Sequence, residues 1–532
     1  MEDHDAIQQK LTSSDVSFSN TLSEIMNLSR KFSLIAEEHD VNEEIRMNGY
    51  RSMILLTNKY FAQLRSGLEA RAPNTNVEQF RAAAPTLVAL MSIMLSIHDK
   101  MKSGDDSSLE DFTKLLQFTE TDVQPFHSEI RGFYLPPGLR HLMNGVVMGI
   151  VLTNISFYNL PNILWDPQAK GRLFTRLALD GTMEEIRNLW GPAELGILRL
   201  VHWSKFLFYK GYMEQITCPR QLRFVISKEG LIGSDATTSI TTSSESISIA
   251  YLKQSELRES LIFHCHGGGY LSSTYRSHEA YMREWGRKLG VPIVCCNYRL
   301  CPEHPYPASL QDLLDAYLFL TSGSSQVLTK IGFHPKNIIV TGDSAGGNLA
   351  LSLVLALNQI RDSDPQILMP VAIALQYPNG NPAFESSCSR AMSLIDPTIT
   401  LSGLGQAAGA YYGVGNTGPE SWFRSEEYEK IAAAMINKMK TDPLYNPLIS
   451  TRYTDLQNIK LFIMAAEFDP LIDDAVAIGR VWKGPLVMDL AQGLPHSFMS
   501  YAGVPEVSDA LDVIIARIAQ GLGMTLVPEG CL

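Results

Sequence analysis

One serine with small neighbours is the residue of this sequence most suited to covalent chemistry. It lies in the segment GDSAGG at residues 342–347, between an apolar run at 337–341 and a helical pattern at 348–359. A G-x-S-x-G motif at a strand-to-helix turn is a nucleophile elbow, in which small flanking residues allow a tight turn that lifts the serine hydroxyl clear of the sheet. The motif predicts Ser344 as a nucleophile, supported by Gly342, Asp343 and Gly346. A purely structural glycine turn is the alternative.

A second motif could supply the hydrogen-bond donors that a serine nucleophile requires. The unaided hydroxyl is a weak nucleophile, and the tetrahedral intermediate needs donors aimed at its oxyanion. The segment HGGGY begins directly after an apolar run at 261–265, and its glycines let backbone N–H groups approach a substrate oxygen. We predict an oxyanion hole with donors at Gly268, Gly269 and Ala345, and supporting roles for His266 and Gly267.

Two other interpretations of the glycine segment are open. It could be a flexible hinge, and the run His264-Cys265-His266 could hold a metal ion. The metal site is disfavoured because alternate residues of a strand point to opposite faces, and no further ligand cluster is evident in the sequence. Serine chemistry requires no metal or organic cofactor, and we predict none.

A serine nucleophile also needs a base, and an acid that orients the base. In the α/β-hydrolase order the chain runs serine, acid, histidine. Asp469 follows a β-rich run that begins at Leu461, and His496 lies just past the next run, so both fall at predicted strand ends. We predict Asp469 as the acid and His496 as the base. The rival carboxylates are Asp473, Asp474, Asp489 and Glu467.

These residues lie at the ends of short β-rich runs that alternate with helical segments. The runs cover residues 261–265, 291–297, 337–341, 371–376, 461–465 and 486–490. Strands separated by helices predict a mostly parallel sheet with helices on both faces and a site in the loops at the strand ends. The predicted fold class is therefore α/β, with the α/β-hydrolase fold.

The earlier part of the chain has a helical pattern. Residues 1 to about 230 carry apolar side chains at helical spacing, for example Leu22, Ile25 and Met26, and then Met53, Leu56 and Tyr60. Residues 234–249 are dominated by Ser and Thr, a composition that cannot bury enough apolar surface to form a core element. We predict a mostly α-helical domain at 1–233, an exposed linker or loop at 234–249 and a catalytic domain at 250–532.

Composition limits the class of protein and its partners. The 532 residues are 45% hydrophobic and 19% charged, as in soluble globular proteins. A net charge of -12 without a basic block argues against a nucleic-acid partner. Seven cysteines without paired C-x-x-C spacing favour a reducing, cytoplasmic setting. The acidic N-terminus and the shortness of the apolar stretches predict no targeting peptide and no transmembrane segment, so membrane or lipid contact would be peripheral.

Together these motifs resemble the hormone-sensitive lipase family of serine hydrolases. The resemblance lies in HGGG, GDSAGG, the segment YRLCPEHPYP at 298–307, Asp469-Pro-Leu and Leu494-Pro-His496. It continues in NGYRS at 48–52, SHEA at 277–280 and MSLIDP at 392–397. The similar segments extend over most of the chain.

The resemblance implies hydrolysis of acyl esters such as diacylglycerol, cholesteryl and retinyl esters at lipid droplets. It also implies that the N-terminal domain aids lipid association and formation of a homodimer. One departure concerns regulation: the interval between Ser344 and Asp469 leaves little room for the long phosphorylated insertion of mammalian members. Control by protein kinase A through that insertion is therefore not expected.

Two rival functions differ from a lipase. A carboxylesterase for small soluble esters would use the same catalytic residues, and only its acyl pocket would differ. A non-catalytic receptor or scaffold on a hydrolase fold is disfavoured because Ser344, Asp469 and His496 are all present.

Overall fold

The structure is a computed structural model of the whole chain. It describes residues 2–525 apart from 12–14, 71–74, 105–114, 116, 129, 143–166, 191–212, 220–223, 228–229, 234–245, 255–258, 383–386, 415–429, 431–433, 436, 439 and 502–503. We call residues 2–190 the helical region and residues 213–525 the sheet region.

The described part of the helical region is mostly α-helical. Its described helices are α1 (Glu2–Gln8), α2 (Val16–Ile35), α3 (Gly49–Glu69), α4 (Thr75–Ser103), α5 (Glu120–His127), α6 (Pro167–Asp180) and α7 (Met183–Trp190). The apolar faces predicted for α2 and α3 are confirmed, because Leu22, Ile25, Met53 and Tyr60 are all buried. Burial of one apolar stripe per helix against its neighbours is the main source of stability for such helices.

An eight-stranded sheet forms the centre of the sheet region. Its strands are β1 (Met213–Pro219), β4 (Ser246–Leu252), β5 (Ser260–Cys265), β6 (Ile293–Cys296), β7 (Asn337–Asp343), β8 (Ala372–Gln376), β9 (Lys460–Phe468) and β10 (Leu486–Pro495). Their spatial order is β1-β4-β6-β5-β7-β8-β9-β10. The pairs from β6 to β10 are parallel, and the pairs β1–β4 and β4–β6 are antiparallel. The six predicted strands and the mostly parallel sheet are confirmed.

The helical prediction for residues 1 to about 230 is wrong at its C-terminal end. Strand β1 belongs to the main sheet, and β2 (Phe224–Ser227) pairs with β3 (Gly230–Gly233) in a separate hairpin. Most of β1 is exposed or half-buried, so its sequence carries no strong apolar signal. Its place is fixed instead by backbone pairing with β4, which sequence periodicity does not report.

The predicted linker is wrong at its C-terminal end as well. Residues 246–249 lie in β4, where Ile247 and Ile249 are buried and alternate with serines. This alternation is the pattern of a strand with one buried face, which a composition rich in Ser obscures. The rest of the predicted linker, residues 234–245, lies outside the described residues.

Helices cover both faces of the sheet. The helices of the sheet region are α8 (Tyr275–Leu289), α9 (Ala308–Thr321), α10 (Ser325–Ile331), α11 (Ala345–Ile360), α12 (Leu401–Tyr412), α13 (Ile472–Val481) and α14 (Pro505–Gly521). Helices α8 and α14 contact each other on one face, and α9 and α11 contact each other on the opposite face. The strands are accordingly buried on both sides, as in other parallel sheets.

The helical region packs directly on the sheet region. The N–H of Gly49, at the start of α3, donates to the carboxylate of Asp473 in α13 at 2.7 Å. Helix α12 is bound to the helical region through Ser402, whose hydroxyl donates to the carbonyl of Leu177 in α6 at 2.6 Å. These contacts place the helical region beside the loops at the carboxyl ends of the strands.

Helix α4 meets the length and hydropathy expected of a membrane span. Its segment Asn76–Ser103 contains an 18-residue window of mean hydropathy 1.7, of which 50% is buried inside the protein. Core helices of soluble proteins pass the same test, and α4 packs on α2, α3 and α5. The prediction that the chain has no transmembrane segment therefore stays a prediction.

Candidate active site

Ser344 lies in the sharp turn between β7 and α11. Its backbone has φ 55° and ψ -125°, a conformation that side-chain-bearing residues rarely adopt. The glycines on either side are required by close backbone approach. A Cβ atom at Gly342 would lie 2.2 Å from the Gly346 carbonyl oxygen, and one at Gly346 would lie 2.1 Å from the Cys265 carbonyl oxygen. The turn is thus a nucleophile elbow with the predicted strand before it and helix after it.

The structure brings the three predicted catalytic side chains into one hydrogen-bonded row. His496 Nε2 lies 2.8 Å from Ser344 Oγ, and His496 Nδ1 lies 2.9 Å from Asp469 Oδ2. The second carboxylate oxygen of Asp469 accepts from the N–H of Leu471 at 2.7 Å, which fixes the carboxylate plane. His496 and Asp469 are buried. This is the arrangement of nucleophile, base and orienting acid in a serine hydrolase.

Three backbone N–H groups are available around the serine. Among the described residues, the N–H groups of Gly268, Gly269 and Ala345 make no hydrogen bond. Gly268 has φ 112°, and a Cβ there would lie 2.3 Å from the carbonyl oxygen of Ser272. Gly269 has φ 60°. Glycine is therefore the residue that fits positions 268 and 269 of this loop. Free N–H groups beside a nucleophile are the donors that an oxyanion requires.

The rival carboxylates are engaged elsewhere. Asp473 accepts from the N–H groups of Gly49 and Ser389, at 2.7 and 2.8 Å. Asp474 is paired with Arg390 at 2.6 Å, and Asp489 with Arg517 at 2.7 Å. Glu467 accepts from the N–H of Gly493 at 2.7 Å. Of these five carboxylates, Asp469 is the one in hydrogen-bond contact with His496.

Known proteins similar to this chain are ester hydrolases. The profile of a family described as alpha/beta hydrolase fold matches residues 262–500. Hormone-sensitive lipase of Mus musculus is 25% identical to the chain over 456 residues, which cover 74% of this chain and therefore reach beyond that match. Residues 262–500 thus have the α/β-hydrolase fold, and the chain is similar to hormone-sensitive lipase. The sheet region is accordingly that of a serine ester hydrolase.

Other relatives of this hydrolase match less of the chain. Ethyl acetate hydrolase of Pseudomonas putida is 26% identical over 262 residues, 49% of this chain and 72% of that protein. Among solved structures, an esterase from the archaeon Pyrobaculum calidifontis aligns with a TM-score of 0.48 and 20% identity, over 73% of this chain and 98% of that one. The chain spans 58% of the length of the mouse lipase.

Asp343 has a larger role in this hydrolase than the motif suggests. It is buried, and its carboxylate accepts from the N–H of Gly267 at 2.9 Å and from the hydroxyl of Tyr281 at 3.2 Å. Burial alone would raise its pKa, but His278 and His264 outweigh burial and hold the pKa of Asp343 well below its usual range. We call residues 267–271 the glycine loop. An ionised carboxylate inside the elbow therefore anchors the first residue of this loop, Gly267.

His278 and Tyr281 contact the site, and the sequence reasoning missed them. Both lie on α8, and His278 Nε2 also accepts from the N–H of Gly267 at 3.1 Å. The segment SHEA at 277–280 supports the family resemblance but does not itself indicate a role for His278. Its position directly after the glycine loop was the available signal, since a helix that follows a loop can contact it.

His264 and His266 bind separate partners within the protein. His264 lies 2.8 Å from the hydroxyl of Thr341, and His266 stacks on Tyr298 with ring centroids 4.1 Å apart. Burial lowers the pKa of His266 to about 3, so its ring is neutral near pH 7. Within the described residues, no group of three His, Cys, Asp or Glu side chains could hold a metal ion.

Proposed function

We propose that this protein hydrolyses acyl esters through a covalent acyl-enzyme. Ser344 Oγ attacks the ester carbonyl carbon while His496 Nε2 accepts the serine proton, and Asp469 holds the imidazole in the required tautomer. The observation that carries the proposal is the row of hydrogen bonds at 2.8 and 2.9 Å, ending at a serine in a strained elbow.

The free N–H groups support the same reaction. As the carbonyl carbon becomes tetrahedral, its oxygen gains negative charge, and the donors of Gly268, Gly269 and Ala345 stabilise that charge. His496 then protonates the departing alcohol. In the second half of the reaction a water molecule gives its proton to His496 and attacks the acyl carbon, which releases the acid and restores Ser344.

The proposed substrates are neutral lipids: diacylglycerol, cholesteryl esters and retinyl esters. This is supported by the extent of the match to hormone-sensitive lipase, which continues beyond the hydrolase profile into other parts of the chain. The second candidate is a carboxylesterase for small soluble esters, favoured by the similarity to ethyl acetate hydrolase, which covers 49% of this chain and 72% of that protein.

The proposed setting is the cytoplasm, with peripheral association to lipid droplets and a homodimer as the assembly. The helical region would mediate both contacts. No cofactor is required by the chemistry, because attack, proton transfer and charge stabilisation are all provided by residues of the chain.

The test is an ester panel on the purified full chain. Emulsified diacylglycerol and cholesteryl oleate are compared with soluble short-chain nitrophenyl esters, each with wild type and Ser344→Ala. A lipase shows a rise in rate as its substrate passes from monomer to emulsion. Activity confined to soluble esters would favour the carboxylesterase, and equal rates in wild type and Ser344→Ala would contradict the mechanism.

A further inference from the structure

Trp190, the last residue of α7, lies between the glycine loop and helix α12. A Cβ atom at Gly269 would lie 2.4 Å from Trp190 Cζ3, and a Cβ at Gly403, in the first turn of α12, would lie 2.7 Å from Trp190 Cζ2. The indole therefore occupies the space that side chains at both positions would fill. One of the two glycines is a predicted oxyanion donor.

The indole is held in place by further contacts of α7. Its N–H donates to the carbonyl of Thr398 at 3.0 Å. One turn earlier, Arg187 donates to the carbonyl of Leu271 at 3.0 Å and to that of Cys301 at 3.0 Å. Helix α7 thus contacts the glycine loop at Gly269 and again at Leu271.

The loop is closed on its carbonyl side, because the Gly268 carbonyl accepts from the N–H groups of Leu271 and Ser272 at 3.1 and 3.0 Å, but among the described residues its donor side has no such bonds. Gly268 and Gly269 have the widest range of allowed backbone angles, and their N–H groups make no hydrogen bond in the described protein. Asp343 fixes the loop at Gly267 from the elbow side. Trp190 contacts it two residues later, at the donor itself.

We propose that Trp190 is a positioning residue that holds the Gly268–Gly269 donors of the oxyanion hole in place. This inference rests on the proposed ester hydrolysis. Trp190 belongs to the helical region, so the proposal makes that region part of the catalytic apparatus of the sheet region. The indole does not touch the reacting atoms; it acts through Gly269.

The first test compares Trp190→Ala and Trp190→Phe with a soluble short-chain nitrophenyl ester. The oxyanion donors stabilise the transition state more than the bound substrate. If Trp190→Ala displaces them, kcat should fall about 10- to 100-fold and KM should change less than about threefold. Phe keeps a ring beside Gly269 and should restore kcat to within about fivefold of wild type. The control is Trp482→Ala, which removes an indole that packs on Tyr453, away from the loop.

A transition-state analogue separates positioning from general destabilisation. Ser344 Oγ adds to the carbonyl carbon of a trifluoromethyl ketone, its proton passes to His496, and the ketone oxygen becomes an oxyanion in the hole. In Trp190→Ala the inhibition constant should rise by the same factor as kcat/KM falls. A loss of kcat/KM without a matching change in inhibition would overturn the proposal.

The second test uses Gly403→Ala. Its new Cβ would push the indole toward Gly269, so this variant should lower kcat in the wild-type background. In the Trp190→Ala background the space is vacant, so Gly403→Ala should lower kcat less than about twofold. The effects of the two substitutions on kcat are then non-additive. Independent effects of the two substitutions would overturn the proposal.

The outcomes distinguish this proposal from the proposed function. If wild type hydrolyses no ester, the proposed function fails. If wild type is active and depends on Ser344, but Trp190→Ala keeps its kcat, only the positioning role fails. A rise in KM that grows with acyl length, at constant kcat, would assign Trp190 to the acyl pocket and also overturn the positioning role.

Discussion

Among single residues, Ser344, His496 and Asp469 come from three separate loops and meet in one row. Because the three side chains act as a unit, removing one of them removes most of the catalytic effect of all three. We expect Ser344→Ala and His496→Ala each to abolish turnover, and the double variant to be barely slower than either. Steady-state kinetics with a nitrophenyl ester measures this. Losses that multiply would contradict the assignment.

Asp469 gives a sharper test of tautomer control. The variant Asp469→Asn keeps the size of the side chain but favours the wrong imidazole tautomer, and should lower kcat about 10⁴-fold. Asp473→Asn is the matched control, because Asp473 bonds to Gly49 and Ser389 and not to His496. If Asp469→Asn retains most of its activity, the orienting acid is another carboxylate.

Asp396 should make stability depend on pH. Burial raises its pKa to about 6, although its Oδ1 accepts from Thr398 and Ile399 at 2.7 Å each. A carboxyl whose folded-state pKa is raised stabilises the fold at low pH, and this contribution is lost as the pH rises through about 6.

The measurement compares wild type with Asp396→Asn by thermal unfolding at pH 5 and pH 7. Relative to the variant, wild type should gain about 1 kcal/mol of stability on going from pH 7 to pH 5. The amide oxygen of Asn can still accept from Thr398 and Ile399, so the local turn is kept. A difference that is constant with pH would show that Asp396 does not titrate in this range.

The sequence predicted the three catalytic side chains, but it did not predict the contacts that hold the glycine loop in place. Ser344, His496 and Asp469 were found because motif, chain order and strand ends all restrict them. The contact of Asp343 with Gly267 joins β7 to the loop after the neighbouring strand β5, and no local sequence pattern encodes a pair so distant in the chain. Trp190 was missed for the same reason, since it lies far from Gly269 in the chain.

At the scale of elements, the start of α3 is bound to α13. The N–H of Gly49 is one of the unpaired donors of a helix N-terminus, and Asp473 accepts from it at 2.7 Å. In Asp473→Asn the amide NH₂ would replace one of the two accepting oxygens and would face the N–H of Gly49 or Ser389, so one of these two hydrogen bonds is lost. This variant should lose about 1–3 kcal/mol of stability while keeping turnover. Urea unfolding monitored beside an activity assay checks both, and unchanged stability would contradict the predicted coupling.

Strands with strong patterns were predicted, and strands without them were not. Strands β5 to β9 carry apolar runs because both of their faces are buried. Strand β10 lies at the edge of the sheet and is half-buried over residues 486–490, but its apolar residues still mark it as a strand. Strand β1 is mostly exposed, and β4 alternates Ser with Ile inside a Ser/Thr-rich segment. Their positions depend on pairing with partners distant in the chain, which composition and periodicity do not specify.

In the whole molecule, the helical region and the sheet region meet at the active site. Helices α6 and α7 contact α12, and α7 reaches the glycine loop through Trp190 and Arg187. A division of the chain into a lipid-binding part and an independent catalytic part does not follow from these contacts. We expect residues of the helical region to affect the chemical step as well as access to lipid.

The most direct test of the account is covalent labelling with diethyl 4-nitrophenyl phosphate. Ser344 Oγ should attack phosphorus, release nitrophenolate and become phosphorylated, while its proton passes to His496. We expect stoichiometric nitrophenolate release, an adduct located at Ser344 by peptide mass mapping, and loss of ester hydrolysis in step with labelling. An adduct at another residue with ester hydrolysis unchanged, or a Ser344→Ala variant that hydrolyses esters at the wild-type rate, would contradict the assignment of Ser344 as the nucleophile.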